Sequence, residues 1–124
     1  MSEQKRTILI IEDDSFLVKA YQLRFEKEDM SVETVTTGTD ALARLNQAPP
    51  HVVLLDLMLP GASGFDILAA LRKLPAWKNV PVIILSNLGQ PEDIKRAKDL
   101  GANDYVIKAN MRINEVADVV KKYL

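Results

Sequence analysis

No cysteine occurs in the 124 residues, which excludes disulfide frameworks, thiolate zinc sites and cysteine nucleophiles. The single histidine, His51, excludes a multi-histidine metal centre. No apolar run approaches the roughly 18 residues that a membrane span needs. The Lys5-Arg6 start lacks the long apolar stretch of a signal peptide. Neither charge sign dominates: 16 Lys and Arg stand against 17 Asp and Glu, a formal net charge of −1. That balance excludes the strongly basic footprint of a nucleic-acid binder and the charge excess of a disordered tail. No direct nucleic-acid or membrane partner is therefore expected. What remains is an ordinary soluble composition, 48% hydrophobic and 27% charged, long enough to bury one core. The expectation is a single cytoplasmic domain whose polar chemistry comes from Asp, Glu, Ser, Thr, Lys and Tyr.

Short β-rich runs recur at Thr7–Ile11, Val32–Thr36, His51–Leu55, Val80–Leu85 and Asp104–Ile107. Most are continuous or nearly continuous apolar stretches, as expected when both faces of a parallel sheet are covered. Helical patterns lie between them. Ser15 can cap a first helix running to about Glu28, apolar on more than one face and so expected to sit deep. A second follows Thr39, with Ala41, Leu42 and Leu45 facing inward. Ser63 can cap a third, carrying Ile67, Leu68, Leu71 and Leu74. Pro91 suits the first turn of a fourth, sparse in apolar residues, and Gly101 suits its stop. The last carries Ile113, Val116, Ala117, Val120 and Leu124. The alternation predicts an α/β fold, a five-stranded parallel sheet in a three-layer, flavodoxin-like arrangement. Residues 1–6 read as a flexible amino terminus and 7–124 as one domain, with no second domain expected.

The polar residues gather where strands end. Glu12-Asp13-Asp14 follow the first strand, Asp56 the third, Ser86-Asn87 the fourth and Lys108 the fifth. In a parallel sheet these ends share one edge, where ligands bind. With strand order 2-1-3-4-5 and a spacing of ~4.8 Å, Glu12, Asp13 and Asp56 share one pocket, with Ser86 and Lys108 approaching it. Clustered carboxylates repel unless a cation sits among them, and one lysine offsets one charge. Hard oxygen donors without His or Cys favour Mg²⁺. Asp14 reads instead as a first-turn helix residue, and His51 as a strand-edge residue opposite the pocket.

The stretches ILIIEDD (8–14), VVLLDLMLPGASGFD (52–66), VIILSN (82–87) and GANDYVIK (101–108) make the whole chain resemble the receiver domain of bacterial two-component response regulators. The similarity is to stand-alone, chemotaxis-regulator-like members. The resemblance implies that Asp56 is the phosphoacceptor, taking a phosphoryl group from a sensor histidine kinase or phosphotransfer protein. It implies Asp13 as a direct Mg²⁺ ligand, Glu12 as holder of a metal-bound water and Met58 as donor of a backbone carbonyl to the metal. Ser86 matches the hydroxyl residue that binds the phosphoryl group, Lys108 the family lysine, and Tyr105 the aromatic that moves with Ser86. A downstream protein is then expected on the face formed by the fourth helix, fifth strand and fifth helix.

Three features depart from the family pattern: Ala109 instead of Pro after Lys108, Asn87 instead of a small residue after Ser86, and an extra residue between Ala109 and Ile113. The slack in that segment favours a trans Lys108–Ala109 bond, with Lys108 still aimed at the acids. The signalling switch is the leading reading, and the chain is not expected to be an enzyme acting on other substrates. A phosphorylation-independent pseudo-receiver is the alternative. An aspartyl-phosphate hydrolase needs an acid where Met58 stands, and the acidic turn after the first strand disfavours a flavin or dinucleotide.

Overall fold

The computed structural model describes residues 5–124. Five strands, β1 (Thr7–Ile11), β2 (Ser31–Val35), β3 (Val52–Leu55), β4 (Val82–Ser86) and β5 (Asp104–Ile107), form one parallel sheet in the order β2-β1-β3-β4-β5. The helices are α1 (Ser15–Lys27), α2 (Gly38–Arg44), α3 (Gly64–Arg72), α4 (Pro91–Asp99) and α5 (Ile113–Lys121). The doubly covered α/β sheet expected from the apolar runs is the observed one. Strand limits differ by a residue or two: β2 starts at Ser31, β3 begins after His51, and β4 runs Val82–Ser86 rather than Val80–Leu85. Of the amino-terminal segment 1–6, residues 1–4 lie outside the described residues, while the Arg6 carbonyl accepts the Ser31 N–H at 2.8 Å.

Successive strand side chains point to opposite faces, and this splits the core in two. Leu9, Ile11, Val53, Leu55, Val82 and Ile84 pack under α2, α3 and α4, against Ala41, Phe65, Leu68, Leu71 and Ala97. Ile8, Ile10, Val52, Leu54, Ile83 and Leu85 pack under α1 and α5, against Tyr21, Phe25, Val116 and Val120. Fully burying one such side chain contributes about 1.5–3 kcal/mol, so the strands anchor everything else.

Local signals set the helix starts, with two corrections. The cap of α1 is Asp14, not Ser15: its Oδ1 accepts the N–H groups of Phe16 at 3.0 Å and Leu17 at 3.1 Å. A carboxylate there also meets the positive end of the helix dipole. Thr37 caps α2 through the Asp40 N–H, so the helix begins at Gly38, before Thr39. Ser63 caps α3 and Pro91 opens α4, as expected. α4 stops before Gly101, whose φ of +108° suits a residue without Cβ. The Arg72 guanidinium closes over that turn, donating to the Gly101 carbonyl at 2.9 Å and to the Val80 carbonyl at 2.7 Å.

Two packing expectations fail for one reason. α1 does not sit deep: Tyr21 and Phe25 are buried, but Phe16 is 79% and Leu23 55% exposed. Leu42 on α2 also faces outward, at 37% exposure. A helix on a flat sheet buries one stripe, and its remaining apolar positions have no element to meet.

Candidate functional site

The sheet register builds the site. Ile11 pairs with Leu55, so Glu12 and Asp56 leave adjacent strands side by side. The Asp56 N–H donates to the Ile11 carbonyl at 2.9 Å, and the Glu12 N–H to the Val35 carbonyl at 3.0 Å. Gly64 lets α3 start directly against this backbone. Its N–H donates to the Leu57 carbonyl at 2.9 Å, and a Cβ there would stand 2.3 Å from the Asp56 carbonyl oxygen.

Glu12 and Asp56 are buried, at 1% and 4% exposure, while Asp13 is exposed. Carboxylate oxygens of the three lie within 4.8 Å of one another. Lys108 reaches in from the end of β5. Its Nζ is 3.0 Å from Asp56 Oδ2 and 2.5 Å from Glu12 Oε1. The Met58 N–H donates to Asp56 Oδ1 at 3.2 Å, and the Asp14 N–H to Glu12 Oε2 at 3.1 Å. Glu12, Asp13, Asp14 and Asp56 share a cavity of about 440 Å³ with Lys108, Met58 and Asn87.

Burial is the largest influence on Glu12 and lifts its carboxyl to about 7; hydrogen bonds from Lys108 and the Asp14 N–H pull it down, and the charge of Asp56 pushes it up. Burial alone would lower the Lys108 ammonium, but its bonds to Glu12 and Asp56 outweigh that and hold it above the ordinary lysine value. One cation thus faces three carboxylates. The donor set is all oxygen, crowded and partly dehydrated, and fits a hard divalent cation such as Mg²⁺.

The structure brings together Glu12, Asp13, Asp56, Met58 and Lys108, but places Ser86 differently. Ser86 is fully buried, and its hydroxyl accepts the Leu88 N–H at 3.2 Å instead of lining the cavity. Tyr105 is half-buried and donates its hydroxyl to the Leu88 carbonyl. Asn87, which in the sequence departs from the family pattern and could narrow the entrance or offer its amide to the phosphoryl group, stands on the cavity wall. The Lys108–Ala109 peptide is trans, as the chain's slack suggested. A 3₁₀ turn over Lys108–Asn110 leads from β5 toward α5. His51 sits at the opposite sheet edge, where its Nδ1 accepts the Thr7 N–H at 2.9 Å.

Comparison with known proteins agrees with the fold. The family model of the response regulator receiver domain matches residues 8–121. The transcriptional regulatory protein KdpE of Mycobacterium tuberculosis is 40% identical over 101 residues, 82% of this chain and 43% of KdpE. Two solved structures are similar throughout. The phosphorylated cyanobacterial phytochrome response regulator RcpA has a TM-score of 0.84 at 29% identity, covering 96% of this chain and 91% of its own. A Francisella response regulator receiver domain has a TM-score of 0.86 at 28% identity, covering 96% of each chain. The chain belongs to the receiver domain family of two-component response regulators. It spans less than half the length of the curated relative. No helix among the described residues is long and apolar enough to cross a membrane.

Proposed function

We propose that this receiver is a phosphorylation switch in which Asp56 accepts a phosphoryl group from a phosphohistidine on a sensor histidine kinase or phosphotransfer protein. The observation that carries the reading is a buried carboxylate held on one oxygen by the Met58 N–H and on the other by Lys108, beside Glu12 and Asp13. A carboxylate nucleophile needs no general base. Its oxygen bonds to phosphorus as the imidazole N–P bond breaks, and the imidazole takes a proton from solvent. Lys108 neutralises charge on the incoming group, and Asp13, Glu12 and Asp56, with the Met58 backbone, would hold Mg²⁺. When bound, Mg²⁺ supplies the positive charge that screens phosphoryl oxygens from the acids. The similarity to RcpA, described in its phosphorylated form, supports the reading.

The output face is α4, β5 and α5, which a downstream protein in the cytoplasm would read. α4 is lightly held: Ala97 is its buried residue, and Arg96 lies 4.1 Å over the Phe65 ring. Ser86, drawn toward the phosphoryl group, would pass the change to Tyr105 and this helix. The chain in this reading acts on no substrate but its own phosphoryl group. A pseudo-receiver lacks a reason here, since every acid and the lysine are present.

Mass spectrometry after treatment with acetyl phosphate and Mg²⁺ tests the acceptor. One adduct is expected on the wild type and none on Asp56→Asn; an adduct that persists in the variant sinks the assignment. Chemical-shift mapping with beryllofluoride tests the output. Shifts should spread from Ser86 to Tyr105 and α4, and perturbation confined to the cavity would refute the switch.

A further inference from the structure

β4 ends at Ser86, whose hydroxyl is buried and already bonded to the Leu88 N–H. The next residue, Asn87, is exposed and forms part of the cavity wall with Asp56 and Lys108. The side chains on that wall differ sharply in what they can offer an anion. Ionised Asp and Glu only accept hydrogen bonds, and the Met58 thioether is a weak acceptor; N–H donors come from Lys108 and Asn87 alone. Lys108 is engaged, close to both Glu12 Oε1 and Asp56 Oδ2. The Asn87 carboxamide has no hydrogen-bond partner among the described residues, so it is the uncommitted side-chain donor of the cavity.

We propose that the Asn87 side-chain N–H donates to a terminal oxygen of the phosphoryl group on Asp56 and thereby prolongs the phosphorylated state. The inference rests on Asp56 being the phosphoacceptor. A phosphoryl group there faces the carboxylates of Glu12, Asp13 and Asp14, and a neutral donor on the remaining wall binds it without adding charge. Hydrolysis forms a P–O bond to water as the Asp56 O–P bond breaks. Asp56 leaves as carboxylate, one water proton stays on the phosphate and the other passes to solvent. The transition state of such a transfer is loose, with charge moving toward the leaving carboxylate. A donor fixed on a terminal oxygen therefore favours the bound dianion over the transition state and slows its loss.

The test compares wild type, Asn87→Ala, Asn87→Leu and Asp56→Asn after acetyl phosphate with Mg²⁺. The donor is removed and decay of the aspartyl phosphate is followed by mass spectrometry. Leu keeps the branched four-atom shape of the Asn side chain, is bulkier, and has no N–H, so it obstructs water at least as well without donating. Both Asn87 variants should lose the phosphoryl group about tenfold faster, the rate equivalent of one hydrogen bond to a charged group. A Leu variant as slow as wild type would show mere obstruction of water and overturn the hydrogen bond; unchanged decay in both variants would overturn the inference outright. A second readout is independent of rate: the Asn87 side-chain amide resonances should shift when beryllofluoride binds wild type, and resonances that stay fixed count against the contact. An adduct on Asp56 with unaltered decay removes only this inference, whereas no adduct on wild-type Asp56 removes the phosphoacceptor reading as well.

Discussion

Ser86 and Tyr105 hold the same residue from two sides: the Ser86 hydroxyl accepts the Leu88 N–H, and the Tyr105 hydroxyl donates to the Leu88 carbonyl. The strands that carry them are hydrogen-bonded neighbours, β4 and β5. The Leu88 N–H uses one lone pair of the Ser86 hydroxyl and leaves its O–H free to donate, but swinging the side chain into the cavity would release Leu88. The loop that leads to α4 is then left on the Tyr105 anchor. Ser86→Ala and Tyr105→Phe should each cost about 1 kcal/mol. Because they share Leu88, the double variant should depart from additivity by more than ~0.5 kcal/mol in urea unfolding. Strict additivity would mean that the two anchors are independent.

Gly64→Ala should damage both stability and the site. The added Cβ meets backbone, the Asp56 carbonyl oxygen at 2.3 Å, so α3 or the Asp56 strand end must move. Overpacking of this kind costs ~1–3 kcal/mol. We expect a lower urea midpoint together with slower phosphorylation by acetyl phosphate. A variant with a wild-type midpoint would show that α3 can shift freely.

α1 and α5 are joined by charge. Glu28 lies 2.9 Å from Lys121 and also pairs with Arg24, and these bonds, Lys121 first, hold its carboxyl below the ordinary glutamate value. A depressed folded-state pKa stabilises above the unfolded value of 4.5, and the contribution is lost as pH falls through the folded value. Wild type should therefore exceed Glu28→Gln in stability at pH 7, and the gap should close below pH ~4. A gap independent of pH would assign the difference to packing.

Mg²⁺ should raise the melting temperature without altering the native fluorescence. At one hundred times its dissociation constant a ligand adds about 2.7 kcal/mol, and Asp13→Asn should weaken the effect. The lone tryptophan, Trp77, is 1% exposed and lies 5.5 Å under Arg44, in the connection from α3 to β4 at the far edge of the sheet. Strong quenching by Mg²⁺ in the folded state, or no shift in melting, would contradict the site's placement.

Met58, 59% exposed at the cavity rim, presents no carboxylate or amide to orient an attacking water. Met58→Asn should accelerate decay of the aspartyl phosphate. Unchanged or slower decay would count against that account.

Some of the site was legible because its cause is local. Acids that directly follow an apolar strand must emerge at the sheet edge, so residue order alone groups Glu12, Asp13 and Asp56. Ser63 and Pro91 mark helix starts by chemistry confined to one turn. Asp14 was harder, since the last acid of an acidic run has no local mark that makes it a cap.

The amino-acid sequence by itself determined the layering and the acidic pocket, because strand burial and residue order along each strand follow from short-range pattern. Tertiary structure alone decided where competing partners and neighbours set the outcome. Lys108 reaches Asp56 across 52 positions of chain because β5, the last strand of the order, ends at the same edge. The Ser86 hydroxyl turns from the cavity because the Leu88 N–H competes for it. Phe16 and Leu23 stay exposed because α1 has two apolar faces and the sheet covers one. Side-chain direction depends on what else lies within reach, and that is set only when the elements pack.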